Sequence, residues 1–149
     1  GVCYGHQLLA YAFGGNVGHN PRGSEIGTFE IRLKSAVAKD ILFQQMPPTF
    51  RAHATHAQSV LKFPENAVSL AASDREPHQA FFLPPCAWGV QFHPEFNAGI
   101  VPYYTAAFEN ELRSEGQNID ALLKHIKETP VSRSLLFKFA EMCKSCTSQ

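Results

Sequence analysis

Long apolar runs are missing from this 149-residue chain: none approaches the roughly 18 residues that a membrane-spanning helix needs, so no membrane role is expected. Net charge is missing too. Thirteen Lys and Arg cancel thirteen Asp and Glu, which removes the electrostatic case for nucleic acid or an anionic membrane as the main partner. Cysteine is scarce: Cys3, Cys86, Cys143 and Cys146 are too few and too scattered for a disulfide framework, and a reducing, cytoplasmic setting is expected. The N-terminus carries neither a basic stretch nor a long apolar core of the kind that marks a secretory signal. It has no initiator Met either, and Gly1-Val2-Cys3 reads as the middle of a longer domain. What is present is a 44% apolar fraction, enough for the core of one compact domain over residues 1–149.

Periodicity divides the chain. Leu8, Leu9, Ala12 and Phe13 lie at helical spacing between Cys3 and Phe13, and Gly14-Gly15 is a stop signal. Phe29, Ile31 and Leu33 alternate with Thr28, Glu30 and Arg32, predicting a half-buried strand. A short helix is expected over Ser35–Gln45, closed by Pro47-Pro48. Strand-like runs follow at Phe50–Ala54, Ser59–Phe63, Ala67–Ala72, Gln79–Leu83 and Ala87–Phe92. Helices are then expected over Val101–Ser114, over Ile119–Glu128 with Asn118 as N-cap, and over Ser132–Lys144. A helix, mixed strands and then helices reads as the C-terminal part of an α/β domain.

Two short segments carry chemistry. Gly1-x-Cys3-x-Gly5 sets glycines two residues either side of a cysteine, just before a helical run. A sharp strand-to-helix turn strains its apex residue and requires small neighbours at minus two and plus two. A thiol there sits at a helix N-terminus, where the dipole favours thiolate, and the Tyr4 N–H lies where an oxyanion would form. Read blandly, Cys3 is a small buried hydrophobe and the glycines punctuate a loop. The second segment, His93-Pro94-Glu95, ends the last strand. A cysteine nucleophile needs a base within reach and a third group to orient that base, and Pro94 restricts the backbone between the two side chains. Alone, the same tripeptide is a strand-terminal His beside a solvated Glu; the elbow and the His-Pro-Glu string together favour catalysis.

Other candidates are weaker. Cys143-x-x-Cys146 lacks the second ligand pair of a closed zinc site and reads as a solvated tail; no metal is expected. His53 reads as a partly buried strand residue and His6 as either pocket-lining or packed on a helix surface. His19, His78 and His125 are expected at the surface, and Asp74-Arg75-Glu76 as a solvated turn. Phe81, Phe82, Phe108, Phe137 and Phe139 are expected in the core, because no basic residues interleave with them as in a stacking platform.

GVCYGHQLLAYAFGGNVG and WGVQFHPEF resemble the signature blocks of class I glutamine amidotransferase domains, including Gln7 of G-x-C-x-G-x-Q, Gly14-Gly15 with Val17, and the G-V-Q-F-H-P-E string. NPRGSEIG, THAQSV and the Asp120–Phe139 tail are most similar to stand-alone GMP synthase-like amidotransferases. The resemblance implies a three-layer, flavodoxin-like α/β sheet of the class I type, present as its C-terminal portion. It implies Cys3 as nucleophile, His93 as general base and acid, and Glu95 as its orienting partner. Gln7 would help hold the substrate glutamine, with Tyr4 at the oxyanion, and His56, Ala57 and Gln58 would touch the substrate's α-amino and carboxylate ends, largely through backbone. The implied reaction is thiolate attack on the γ-amide, release of ammonia to an acceptor or partner synthetase, and hydrolysis of a γ-glutamyl thioester, without a cofactor. A γ-glutamyl peptidase or hydrolase acting on γ-glutamyl conjugates, and a truncated homologue that only binds, are the alternatives.

The family's domain has two or three βα units before the elbow, and one of their loops supplies glycine N–H groups to the oxyanion hole. Loss of one oxyanion donor costs on the order of 10²–10³ in rate in a protease. These 149 residues alone are therefore expected to be inactive and poorly folded, while a longer parent chain could be active.

Overall fold

A computed structural model describes residues 1–146. Helix α1 (Tyr4–Ala12) starts one residue after Cys3, which is its N-cap, and stops where Gly14 takes a φ of 87°. Strand β1 (Asn16–His19), which the periodicity did not signal, pairs antiparallel with β4 (Gln58–Lys62). The main sheet holds β2 (Glu25–Leu33), β3 (Thr49–His56), β5 (Val68–Ala72), β6 (Ala80–Leu83) and β7 (Ala87–Val90), in the order β3-β2-β5-β6-β7. Every pairing between these strands is antiparallel. Among the described residues, parallel pairing enters only where Val2 bridges Val90. Past β7 the chain swings back to the far edge of the sheet, and the His93 N–H donates to the His53 carbonyl of β3 at 2.8 Å. The sheet therefore curls until the end of its last strand meets its first.

Packing follows from alternation. Ile31 of β2, Phe50 and Ala52 of β3, Leu70 and Ala71 of β5, and Val90 of β7 point into one core with Phe43 and Phe92. A second core places Ala10 of α1 against Val60 of β4 and Phe81 of β6. A third joins Ile26 of β2 to Leu112 and Ile119. Helices α2 (Val101–Ala107), α3 (Glu109–Ser114), α4 (Ile119–Lys124) and α5 (Pro130–Cys146) complete the described chain. Asn118 caps α4 as expected, its Oδ1 accepting from the Ala121 N–H at 2.9 Å. Among the described residues no helix is long and apolar enough to cross a membrane.

Several expectations need correction. The stretch Ser35–Gln45 is not a single helix: a 3-10 turn covers Ser35–Lys39, and the Asp40 Oδ1 then accepts from the Leu42 and Phe43 N–H groups. Its Oδ2 accepts from Trp88 Nε1 at 2.9 Å, so a buried carboxylate replaces the helical pairing. Val101–Ser114 breaks at Phe108 into α2 and α3. Glu76 belongs to no solvated turn: it is fully buried and accepts from the His78 N–H. His78 is half-buried, its Nδ1 facing the Val60 carbonyl. Phe137 and Phe139 are both exposed on α5, and Phe108 is partly exposed, so only Phe81 of the five is fully buried. Cys143 and Cys146 lie in the last turn of α5 rather than in a tail.

His6 is fully buried against Phe81, with ring centroids 4.9 Å apart. Gly89 makes this possible, since a Cβ there would lie 2.7 Å from His6 Nδ1 and 2.8 Å from Phe81 Cε1. Gly89→Ala should therefore lower the unfolding free energy by about 1–3 kcal/mol through overpacking, read as a fall in the urea midpoint at unchanged m.

Candidate active site

Cys3 sits at the turn into α1 with φ 48° and ψ −104°, a left-handed conformation that a side chain occupies only under constraint. The constraint comes from both sides. The Cys3 N–H donates to the Val90 carbonyl at 2.8 Å and the Gly1 carbonyl accepts from the Val90 N–H at 2.9 Å, while Gly5 and Gln7 begin the helical pairing. Gly1 must be glycine, since its Cβ would lie 2.3 Å from the Gly5 carbonyl oxygen. The expected crowding at plus two is absent: a Cβ on Gly5 would meet nothing within 4 Å. The Cys3 sulfur faces the Thr55 carbonyl at 3.8 Å and receives the Gln91 amide at 3.5 Å.

His93 lies just beyond β7, held by its N–H bond to β3. Its Nδ1 is 2.7 Å from Glu95 Oε1. Its Nε2 is buried and makes no hydrogen bond of full geometry. Burial alone would push the imidazole down, but the adjacent Cys3 sulfur and the Glu95 carboxylate outweigh it and raise the pKa to about 9. Backbone pairing brings the two segments side by side: Cys3 pairs with Val90, three residues before His93, and the Cys3 sulfur and the His93 N–H face the Thr55 and His53 carbonyls of the same strand, β3. Burial would raise the Glu95 carboxyl, but the His93 hydrogen bond holds it below its ordinary range. The elbow and the His-Pro-Glu string, 90 residues apart in the chain, thus meet at one place.

The other expected site residues divide. Tyr4 is exposed at the start of α1. Gln7 is buried, and its amide already donates to the Gln58 carbonyl at 2.7 Å and to Gln91 Oε1 at 3.0 Å. The His56 ring lies in the interior, with Nε2 3.2 Å from Glu25 Oε2 and Nδ1 3.0 Å from the Gln58 carbonyl. Ala57 and Gln58 are exposed, although the Ala57 carbonyl accepts from the Asn20 N–H. Sequence reasoning missed Thr55, Gln91 and Phe96 as neighbours of Cys3 and His93. Gln91 and Phe96 stand within the WGVQFHPEF string, but which way their side chains turn depends on how the strand ends. Among the described residues no group of three or more His, Cys, Asp or Glu could hold a metal ion.

Comparison with known proteins fits this geometry. The family model described as glutamine amidotransferase class-I matches residues 1–112. The chain belongs to the class-I glutamine amidotransferase family. It is 40% identical over 96 residues to a glutamine-hydrolyzing GMP synthase subunit of Archaeoglobus fulgidus, covering 64% of this chain and 50% of that one. It is 32% identical over 103 residues to gamma-glutamyl peptidase 4 of Arabidopsis thaliana, covering 68% and 41%. A solved glutamine amidotransferase from Thermotoga maritima superposes with a TM-score of 0.74 at 27% identity, over 95% of this chain and 60% of that one. The amidotransferase-type α/β fold expected from the resemblance is thus observed, and the chain spans half or less of the length of these two curated relatives.

The raised His93 pKa makes the stability of this amidotransferase chain pH-dependent. The ordinary value of 6.5 is the unfolded reference, so the contribution is fully present below pH 6.5 and is lost as pH rises toward about 9. Unfolding free energies measured by urea between pH 6.5 and 9 should fall with rising pH in the unaltered chain. His93→Asn should flatten that component, and an unchanged slope would contradict the pairing.

Proposed function

We propose that the chain carries the catalytic half of a glutamine amidotransferase in which Cys3, His93 and Glu95 act as nucleophile, base and orienting group. The observation that carries this reading is the 2.7 Å contact of His93 Nδ1 with Glu95, which leaves the other ring nitrogen free beside a thiol at a strained helix N-cap. Glu95 accepts from Nδ1–H and so fixes the tautomer in which Nε2 is basic. Nε2 takes the thiol proton before the attack, since the raised pKa keeps the ring protonated near neutral pH, and the sulfur anion then attacks the γ-carbonyl of glutamine. The tetrahedral oxyanion would meet the first free N–H groups of α1, with Tyr4 the nearest to sulfur. As the C–N bond breaks, the imidazolium returns the proton to nitrogen and ammonia leaves. Water, deprotonated by the same nitrogen, hydrolyses the γ-glutamyl thioester.

Gln7 and the His56–Gln58 segment would frame the substrate by holding the wall beside the thiol, since their amides and carbonyls are tied to each other and, through Gln91, to Cys3. Ammonia would pass to an acceptor or a synthetase partner, as the name of the Archaeoglobus protein, a subunit of GMP synthase, suggests for that protein. A γ-glutamyl peptidase activity is the second reading, favoured by the similarity to the Arabidopsis enzyme. The same thioester would form, with an amine or peptide leaving in place of ammonia.

A glutamine-derived diazo-ketone should add to Cys3, read by mass spectrometry of the Cys3 peptide. Cys3→Ser should abolish the adduct at that peptide, and His93→Asn should slow it by about 10² or more, the usual contribution of a positioned base. Labelling confined to Cys86 and Cys143 would refute the assignment. In a longer parent chain, ammonia release from glutamine against amine release from a γ-glutamyl peptide separates the two readings.

A further inference from the structure

A hydrogen bond at Nδ1 fixes one edge of an imidazole but leaves the ring free to rock about that bond. Something else must hold its plane if Nε2 is to keep one direction. One face of the His93 ring lies flat on Phe96, with centroids 4.0 Å apart and planes inclined by 13°. Tyr104 of α2 lies behind Phe96, at 5.2 Å and 19°. Phe96 is buried, and its N–H donates to the His93 carbonyl, so the turn that presents the imidazole also folds this ring back onto it. Three rings are stacked from α2 to the candidate base. An aromatic face attracts a cation, so the contact tightens when the imidazole is protonated.

We propose that Phe96, backed by Tyr104, is a positioning residue that locks the plane of the His93 imidazole so that Nε2 stays aimed at the Cys3 sulfur. The proposal rests on the reading of Cys3 and His93 as a nucleophile–base pair. Phe96 has no polar atom in its side chain and cannot take part in proton transfer. Its effect is carried entirely by the orientation of its neighbour, as expected where small misplacements of a reacting group cost large factors in rate. Other groups that face His93, namely Cys3 at the N-cap of α1, Glu95 in the same turn and His53 on β3, are all left in place when only the ring at 96 is changed.

Iodoacetamide tests this without requiring turnover. The sulfur displaces iodide, and its reactivity depends on the imidazole that accepts its proton. The rate is read at the Cys3 peptide at a pH of about 7.5, with the exposed Cys86 in the same sample as the reference thiol. His93→Asn should slow Cys3 relative to Cys86 about tenfold, below the usual cost of removing a positioned base because no substrate is turned over. Phe96→Leu keeps apolar bulk but loses the flat face, and should give most of that loss; Phe96→Tyr keeps the plane and should stay within about twofold of the unaltered rate. Adding Phe96→Leu to His93→Asn should cost nothing further, since both act through one ring.

A Phe96→Leu chain that labels at the unaltered rate while His93→Asn slows would overturn the proposal and leave the nucleophile–base reading standing. An unaltered rate in His93→Asn would instead refute that reading, and the proposal with it. Should Phe96→Leu fail to fold, Tyr104→Leu decides, because it removes only the backing ring: a slowing of about threefold is expected, and the unaltered rate would overturn the proposal.

Discussion

The backbone pairing of one short segment, Trp88 to His93, holds the site together. Gly1 and Cys3 pair in parallel with Val90, Gln91 donates to the Gln79 carbonyl, and His93 donates to the His53 carbonyl. The nucleophile turn is thus fastened to one end of the segment, and the imidazole stands at the other. Each bond is individually modest, about 1 kcal/mol net, but together they are directional, and they fix the backbone on which sulfur and ring stand, leaving the plane of the ring to its side-chain contacts. The left-handed backbone at Cys3 persists because these bonds on one side and the first turn of α1 on the other both require it.

The same residue type serves different ends according to its surroundings. His6 is sealed against Phe81, and burial pushes it down to about 3, so it packs as a neutral ring. His53 lies buried on β3 with Thr28 Oγ1 at 3.1 Å, and burial lowers it as well. His93 is mostly buried too, yet a carboxylate on one side and a sulfur on the other reverse the direction of the shift. Burial sets the penalty for charging an imidazole, and only a partner of opposite sign overcomes it.

A chain of buried polar contacts leads away from the thiol. Gln91 reaches Cys3 and Gln7, Gln7 reaches the Gln58 carbonyl, and His56 links that carbonyl to Glu25. Glu25 in turn accepts from Ser73 and from Gln79, the latter at 2.6 Å. Such a network is costly to leave half-made and therefore specifies one arrangement of the strands it joins. Its members come from α1, β2, β3 and the approach to β6, so it ties the wall beside the thiol to the interior of the curled sheet.

By itself the amino-acid sequence determined the local features. The alternation of Phe29, Ile31 and Leu33 marked a strand, Asn118 marked a cap, and the residue strings around Cys3 and His93 marked a nucleophile turn and an imidazole–carboxylate pair with its family. These are legible because their causes lie within a few residues: side-chain period, capping, and small residues at a tight turn. Tertiary structure alone decided the rest. Glu76, which reads as a loop charge, is buried in a turn closed by its bonds with Ser73 and His78, and Phe137 reads as core yet faces outward from α5. Gln91 became a neighbour of the thiol because Gly1 and Cys3 pair with Val90, Thr55 because the end of the sheet closes so that His93 pairs with β3, and Phe96 lies on the imidazole because their shared turn folds it back. The thiol's own contacts span 52 residues to Thr55 and 88 to Gln91, and they depend on strand order and curvature, which local periodicity does not encode.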